Sequence, residues 1–345
     1  MQIIDPVVVS GKRILVRGDL DVTVGEEGVV NDTRLMHVVT LLKHLKENNP
    51  VKLVVVGHRG RPEGQNSEFS LEPLVSYFSK ELEASVSFVP FCGVHELSDH
   101  IVQATDQIVL VENVRFWSEE EANDEAFAQA LRSCADMYVN EAFASSHRAH
   151  ASVNAVPKLF GSDAYAGIRF GEEVSHLSQV RENPVRPCIA IISGVKEDKL
   201  TYVGAFKSFC DRVLIGGRLP EYLGDTEPDT KTVVARLNPD KEDITIHAIE
   251  LFEEEVGKAK TIIVSGPIGK YEEEGHRLGT QRVFRAVASS DAFKVAGGGD
   301  TEEALTTLGF SSDFDWVSIG GGAMLEYLAN GTLSGIEAIN FSEAH

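Results

Sequence analysis

Leu53-Val54-Val55-Val56-Gly57-His58-Arg59-Gly60-Arg61-Pro62 reads as a short, unbroken apolar strand that ends abruptly in glycine, cations and proline. A strand with one wet face would alternate apolar and polar residues, so a continuous run predicts a parallel strand covered on both faces. Runs of the same kind occur at Ile14–Val16, Ile108–Val111 and Met137–Val139, then at Ile189–Ile192, Val213–Ile215, Ile262–Val264, Phe293–Ala296 and Trp316–Ser318. Amphipathic stretches lie between them. Leu35, Val38, Val39, Leu42 and Leu45 keep the i, i+3, i+4, i+7 spacing of a helix, with Asp32 or Thr33 placed to cap it. The fold class is therefore α/β: two doubly wound parallel-sheet (Rossmann-like) domains, with ligand sites expected at the carboxyl ends of the strands.

The expected division is 1–165 for the first domain, 166–182 for a hinge helix, 183–334 for the second domain and 335–345 for a tail. Gly161-Ser162-Asp163 reads as a loop before that helix, and Asn183-Pro184 as its stop.

The 345 residues carry 53 acidic against 32 basic side chains, a net charge of −21, which argues against a general nucleic-acid surface. Cys92, Cys134, Cys188 and Cys210 form no C-x-x-C pair, and two of them, in or beside apolar segments, read as buried reduced thiols. The start, Met1 to Pro6, has no basic region followed by an apolar one, and no apolar run approaches the ~20 residues of a membrane helix. A cytoplasmic protein without membrane attachment is expected.

Against that acidity, Arg17, Arg34, His58, Arg61, Arg115, Arg148 and His150 fall just after strands or at a helix start. One arginine in such a place is usually a solvated loop charge. Four strand exits supplied in this way predict a cradle for a small, highly charged anion, because guanidinium groups offer paired donors to phosphate and carboxylate.

The second half punctuates its strands with glycine instead. Ser193-Gly194-Val195-Lys196-Glu197-Asp198-Lys199, Gly216-Gly217-Arg218 and Ser265-Gly266-Pro267-Ile268-Gly269 each follow a strand. Gly297-Gly298-Gly299-Asp300-Thr301 and Gly320-Gly321-Gly322 each separate a strand from a helix, where exposed amides suit phosphate oxygens. Neither G-x-x-x-x-G-K-[ST] nor G-x-G-x-x-G is present.

In order along the chain, HRGRP, ENVRF, YVNEAF…HRAHAS, GPIGKYE, GGGDT and GGGAMLEYL resemble the motifs of the phosphoglycerate kinase family. The resemblance implies reversible phosphoryl transfer between 1,3-bisphosphoglycerate and ADP, giving 3-phosphoglycerate and ATP, in a monomer that bends at a hinge and uses Mg2+. By motif position it implies that Arg17, Asp19, Asp21, Arg34, His58, Arg61, Arg115, Arg148 and His150 bind the phosphoglycerate, with Arg34 bridging to the group in transfer. It implies nucleotide contacts from Gly194, Lys196, Lys199, Gly217, Gly266, Glu272, Gly297, Gly298, Gly299, Asp300 and Thr301. Asp300 would hold the metal and Glu272 the ribose; Lys196, Gly298 and Gly321 would join Arg34 in catalysis.

The chain also departs from the family pattern. It is short, with the economy falling between Gly224 and Ile244, and Asp21 stands where the family usually has Asn. Lys196 and Lys199 are three positions apart instead of four, which on an α-helix rotates one side chain by about 100°. Ser265 and Ile319 replace an Asn and a hydroxyl residue. Two further readings stay open: a kinase of this build for another acyl phosphate, and a catalytically weak anion-binding relative.

Overall fold

The structure, a computed structural model, describes residues 1–25, 28–223 and 229–341. It divides into two compact units, one of Met1–Glu173 with the segment beginning at Leu333, the other of Val174–Thr332.

The first unit holds a parallel six-stranded sheet of β1 (Arg13–Arg17), β2 (Lys52–Val56), β3 (Val86–Val89), β4 (Ile108–Val111), β5 (Met137–Asn140) and β6 (Ala164–Ala166). Their order across the sheet is β3-β4-β2-β1-β5-β6. Two buried clusters explain the unbroken apolar strands. Ile14, Val16, Leu53, Val55, Ile108 and Leu110 face one cluster, while Leu15, Val54, Val56, Val109 and Val111 face the other. Helix α1 (Thr33–Lys46) closes the first face with Leu35, Val38, Val39, Leu42 and Leu45, as the spacing predicts, and adds Leu41.

The expected cap differs. Asp32 occupies the cap position, but its carboxylate accepts from the Tyr77 hydroxyl at 3.0 Å instead of the helix amides. Asn31 does the local work, accepting from the Thr33 amide at 3.0 Å and its hydroxyl at 2.8 Å.

The second unit contains β7 (Cys188–Ile192), β8 (Arg212–Ile215), β9 (Thr232–Val234), β10 (Thr261–Ser265), β11 (Phe293–Gly297) and β12 (Trp316–Ser318), all parallel, in the order β9-β8-β7-β10-β11-β12. The order of successive strands switches sides between β7 and β10, as it does between β1 and β5 in the first sheet, and such switch points are where ligand crevices form at the carboxyl ends of parallel strands. The strands β3, β6 and β9 are additions to the sequence reading. Each is an edge strand of three or four residues, and β6 begins directly after Gly161–Asp163, which forms a 3-10 turn instead of the expected loop.

Helix α2 (Ile168–Glu182) carries the chain from the first unit into the second and stops before Asn183-Pro184. After the second sheet, the helix Ser334–Ile339 packs on the first unit: the Gly335 amide donates to the Ser146 carbonyl at 2.9 Å, Asn154 Nδ2 donates to Ser334 Oγ at 2.7 Å, and Ile339 joins the core. The remainder of the expected tail, 342–345, lies outside the described residues, as do 224–228 of the shortened stretch. The described part of that stretch is β9 and a bridge between Leu237 and Ile244. All four cysteines are free thiols, three of them buried. Among the described residues no helix is long and apolar enough to cross a membrane.

Candidate active site

Because all six strands of the first sheet are parallel, residues that follow them emerge along one edge. Arg17 closes β1, His58 follows β2, Arg115 follows β4, and Arg148 and His150 follow β5. The structure brings them together. Arg17, only 2% exposed, donates from Nη2 to His58 Nδ1 at 3.0 Å and from Nε to Ser152 Oγ at 2.8 Å. The Arg115 guanidinium donates to the Gly60 carbonyl and pairs with Glu121 at 3.5 Å.

Electrostatics report the same crowding. Burial lowers Arg115 to about 10, and the Arg148 charge pushes the same way. Burial and then the charge of the exposed Arg61 lower Arg148. Burial and then Arg115 take His150 down to about 4; His147, which the sequence did not single out, is lowered to about 4 by burial and Arg148. Such a cluster is under-neutralised by its own protein, and a polyanion relieves it.

Three acidic or bridging positions complete the rim. Arg34, at the start of α1, donates from Nη1 to Asp19 Oδ1 at 3.3 Å. Asp19 is buried, its other oxygen has no hydrogen-bond partner, and burial raises its carboxyl above the usual range. Asp21 Oδ1 accepts from the Gly60 amide at 2.8 Å, and its Oδ2 lies 3.9 Å from His58 Nε2. Asp21 and Arg34 also line a cavity of about 750 Å³ with Arg59, Gly60 and Phe69.

In the second unit the glycines sit where backbones touch. A Cβ on Gly266 would lie 2.0 Å from the Ser193 carbonyl, so only glycine lets the ends of β7 and β10 meet there. Gly194 is tied to the turn at Gly217, its carbonyl accepting from the Arg218 amide at 2.9 Å. The Thr301 hydroxyl accepts from the Gly266 amide at 2.8 Å and donates to the Gly297 carbonyl at 2.9 Å. Helix α3 (Gly299–Leu308) thus opens beside the crevice, with Gly299 and the Asp300 carboxylate exposed at its start. Helix α4 (Gly321–Asn330) opens next to it, Gly321 against Gly298. A cavity of about 430 Å³ runs from Asp300 past Gly194, Gly217 and Ile268 to Glu272. Arg218, Glu242 and Lys270 line it too, charged positions that glycine spacing could not reveal.

The two lysines part company. Lys196 is exposed, whereas Lys199 is tucked inward and donates from Nζ to the carbonyls of Ser193 at 2.7 Å and Ser265 at 3.4 Å. Burial lowers Lys199 to about 8, opposed by Asp300. Residues Glu197–Tyr202 form a 3-10 helix, so the α-helical rotation expected from the spacing does not apply.

Among the described residues no group of three or more His, Cys, Asp or Glu could enclose a metal by itself. One exposed carboxylate at a helix start suits a hard cation that keeps several waters and takes its remaining oxygens from a polyphosphate.

The class that these half-sites define is a kinase for a small anionic acid. A family model described as phosphoglycerate kinase matches residues 4–227 and 224–331. The chain is 33% identical over 382 residues to a phosphoglycerate kinase of Solibacter usitatus (strain Ellin6076), covering 96% of this chain and 97% of that one. It is 31% identical to that of Dictyoglomus turgidum (strain DSM 6724 / Z-1310), with 96% of each covered. The structure of phosphoglycerate kinase from Coxiella burnetii superposes with a TM-score of 0.80 at 26% identity, covering 96% of each chain. That from Pyrococcus horikoshii OT3, at 23% identity and a TM-score of 0.81 over 99% of this chain and 100% of the other, supports the fold alone. The chain belongs to the phosphoglycerate kinase family, phosphotransferases whose acceptor is a carboxyl group.

Proposed function

We propose that the chain transfers a phosphoryl group between ATP and the carboxylate of 3-phosphoglycerate, reversibly, by holding each partner on one sheet's carboxyl edge. The observation that carries this reading is the arginine and histidine cluster around Arg17, too cationic for its own acidic neighbours and buried enough to make that charge count. In this reading Arg17, His58, Arg61, Arg115, Arg148 and His150 hold the acid's phosphate and carboxylate, while Asp19 and Asp21 accept from its hydroxyl. Arg34 reaches the transferring group. The crevice around Gly194, Gly217 and Gly266 takes an adenine nucleotide, Glu272 accepts from the ribose, and Lys199 and the amides of Gly297, Gly298, Gly299 and Thr301 meet the phosphates.

Asp300 would hold Mg2+, and the metal would neutralise polyphosphate charge. Phosphoryl transfer asks the protein for little covalent chemistry; it needs in-line positioning, compensation of charge and exclusion of water. Arg34, Lys196, Gly298 and Gly321 supply the charge and amide donors at the group in flight. Donor and acceptor must come together during turnover, so the reading includes a hinge over 166–182 and a monomeric, cytoplasmic enzyme.

Coupled turnover with ATP, Mg2+ and 3-phosphoglycerate tests it. The expected outcome is transfer that depends on all three; a folded protein inactive at millimolar 3-phosphoglycerate yet active on another carboxylic acid would replace the substrate.

A further inference from the structure

Glu120 stands in the run Ser118-Glu119-Glu120-Glu121. The fold buries it to 1% exposure. Its carboxylate accepts from the Ser152 amide at 2.8 Å and from the Ser152 hydroxyl at 2.6 Å. A hydroxyl has one proton, and this one is committed to Glu120, so Ser152 Oγ meets Arg17 Nε only as an acceptor, at 2.8 Å. Arg17 is held at a second point by the Gly18 carbonyl and turns Nη2 onto His58 Nδ1 at 3.0 Å.

A guanidinium donates and cannot accept. His58 Nδ1 must therefore present its lone pair, which leaves the ring proton on Nε2. That nitrogen is 3.9 Å from Asp21 Oδ2, beyond hydrogen-bond reach, on the side of the cradle. The ring is 6% exposed and surrounded by Arg17, Arg115, Arg148 and His150, so a second proton is disfavoured there.

We propose that Glu120 and Ser152 are positioning residues: through Arg17 they fix His58 as the neutral Nε2–H tautomer, so that it offers one aimed donor to the bound acid. The inference rests on the reading of this cradle as the phosphoglycerate site. It explains a cost otherwise hard to account for, a carboxylate buried outside the cradle and bonded to a serine instead of directly to an arginine. The carboxylate compensates the charge of Arg17 at one remove, through the Ser152 hydroxyl.

Ser152→Ala removes the Nε acceptor while keeping the backbone link to Glu120. Nitrogen-15 spectra of His58 should show a single Nε2–H tautomer in the wild-type protein and a mixture in the variant. KM for 3-phosphoglycerate should rise about tenfold, the usual worth of one hydrogen bond to a charged group, with nucleotide affinity unchanged. Ser152→Thr, which keeps the hydroxyl, should restore both. A wild-type His58 protonated on Nδ1, or an alanine variant with neither its tautomer nor its KM altered, overturns the proposal. The wild-type spectrum needs neither variant nor substrate, so it decides the tautomer even if Ser152→Ala fails to fold. Loss of phosphoglycerate turnover in the wild-type protein, with the tautomer as stated, would instead fault the substrate assignment.

Discussion

Gly321 and Gly298 are in backbone contact: a Cβ on Gly321 would lie 2.3 Å from the Gly298 Cα. Two helices, α3 and α4, therefore begin side by side, and their first amides share one patch of the crevice. Gly321→Ala must push these loops apart. We expect a loss of ~2 kcal/mol in stability from overpacking, together with weakened nucleotide affinity. Denaturant unfolding and nucleotide titration check the two parts separately.

Arg34 spans 3.3 Å to Asp19 and nothing in that pairing needs the nucleotide. Replacing it by alanine should cut kcat on the order of 100-fold, as removal of a preorganised charge donor does, while MgATP affinity stays unchanged. Steady-state kinetics beside equilibrium nucleotide binding give the answer. Unaltered kcat would refute the role assigned to Arg34.

For Asp300→Asn the loss is expected on the nucleotide side. Turnover should fall on the order of 100-fold, and the Mg2+ concentration for half-maximal rate should climb, with 3-phosphoglycerate affinity intact. A magnesium titration of initial rates suffices.

His150 sits near pKa 4 because burial, then Arg115, oppose its charge. At neutral pH it is therefore uncharged in the free protein. A polyanion beside it raises the bound-state pKa, so between the two values the complex holds more protons than the free protein. Affinity gained through this group must rise as pH falls. Calorimetry in buffers of different ionisation enthalpy should show proton uptake at pH 6 that diminishes in His150→Gln; equal uptake in both proteins would contradict this.

Much of this architecture is legible in the chain itself. Strands such as Leu53–Val56 are apolar on both sides because each sheet is covered on both faces, and that pattern survives without any tertiary information. Arg17, His58 and Arg115 are visible as a group because a parallel sheet delivers strand exits to one edge. Edge strands are not: Thr232–Val234 is three residues long and owes its conformation to pairing with β8. Asp32 looks like a cap until Tyr77 claims its carboxylate. Glu120 is hidden in an acidic run, because whether a carboxylate is buried depends on residues as distant as Ser152. Lys199 turns inward because the carbonyls of Ser193 and Ser265, at two strand ends, converge on it, a relation that spacing from Lys196 does not encode.

The division of labour between the two sheets is tested most directly by calorimetric titration of Arg115→Ala with 3-phosphoglycerate and, separately, with MgADP. Arg115 lies wholly within the first unit's cluster, against Gly60 and Glu121. The predicted result is at least about tenfold weaker binding of the acid and an unchanged Kd for the nucleotide. Undiminished 3-phosphoglycerate binding, or a loss shared equally by both ligands, would contradict it.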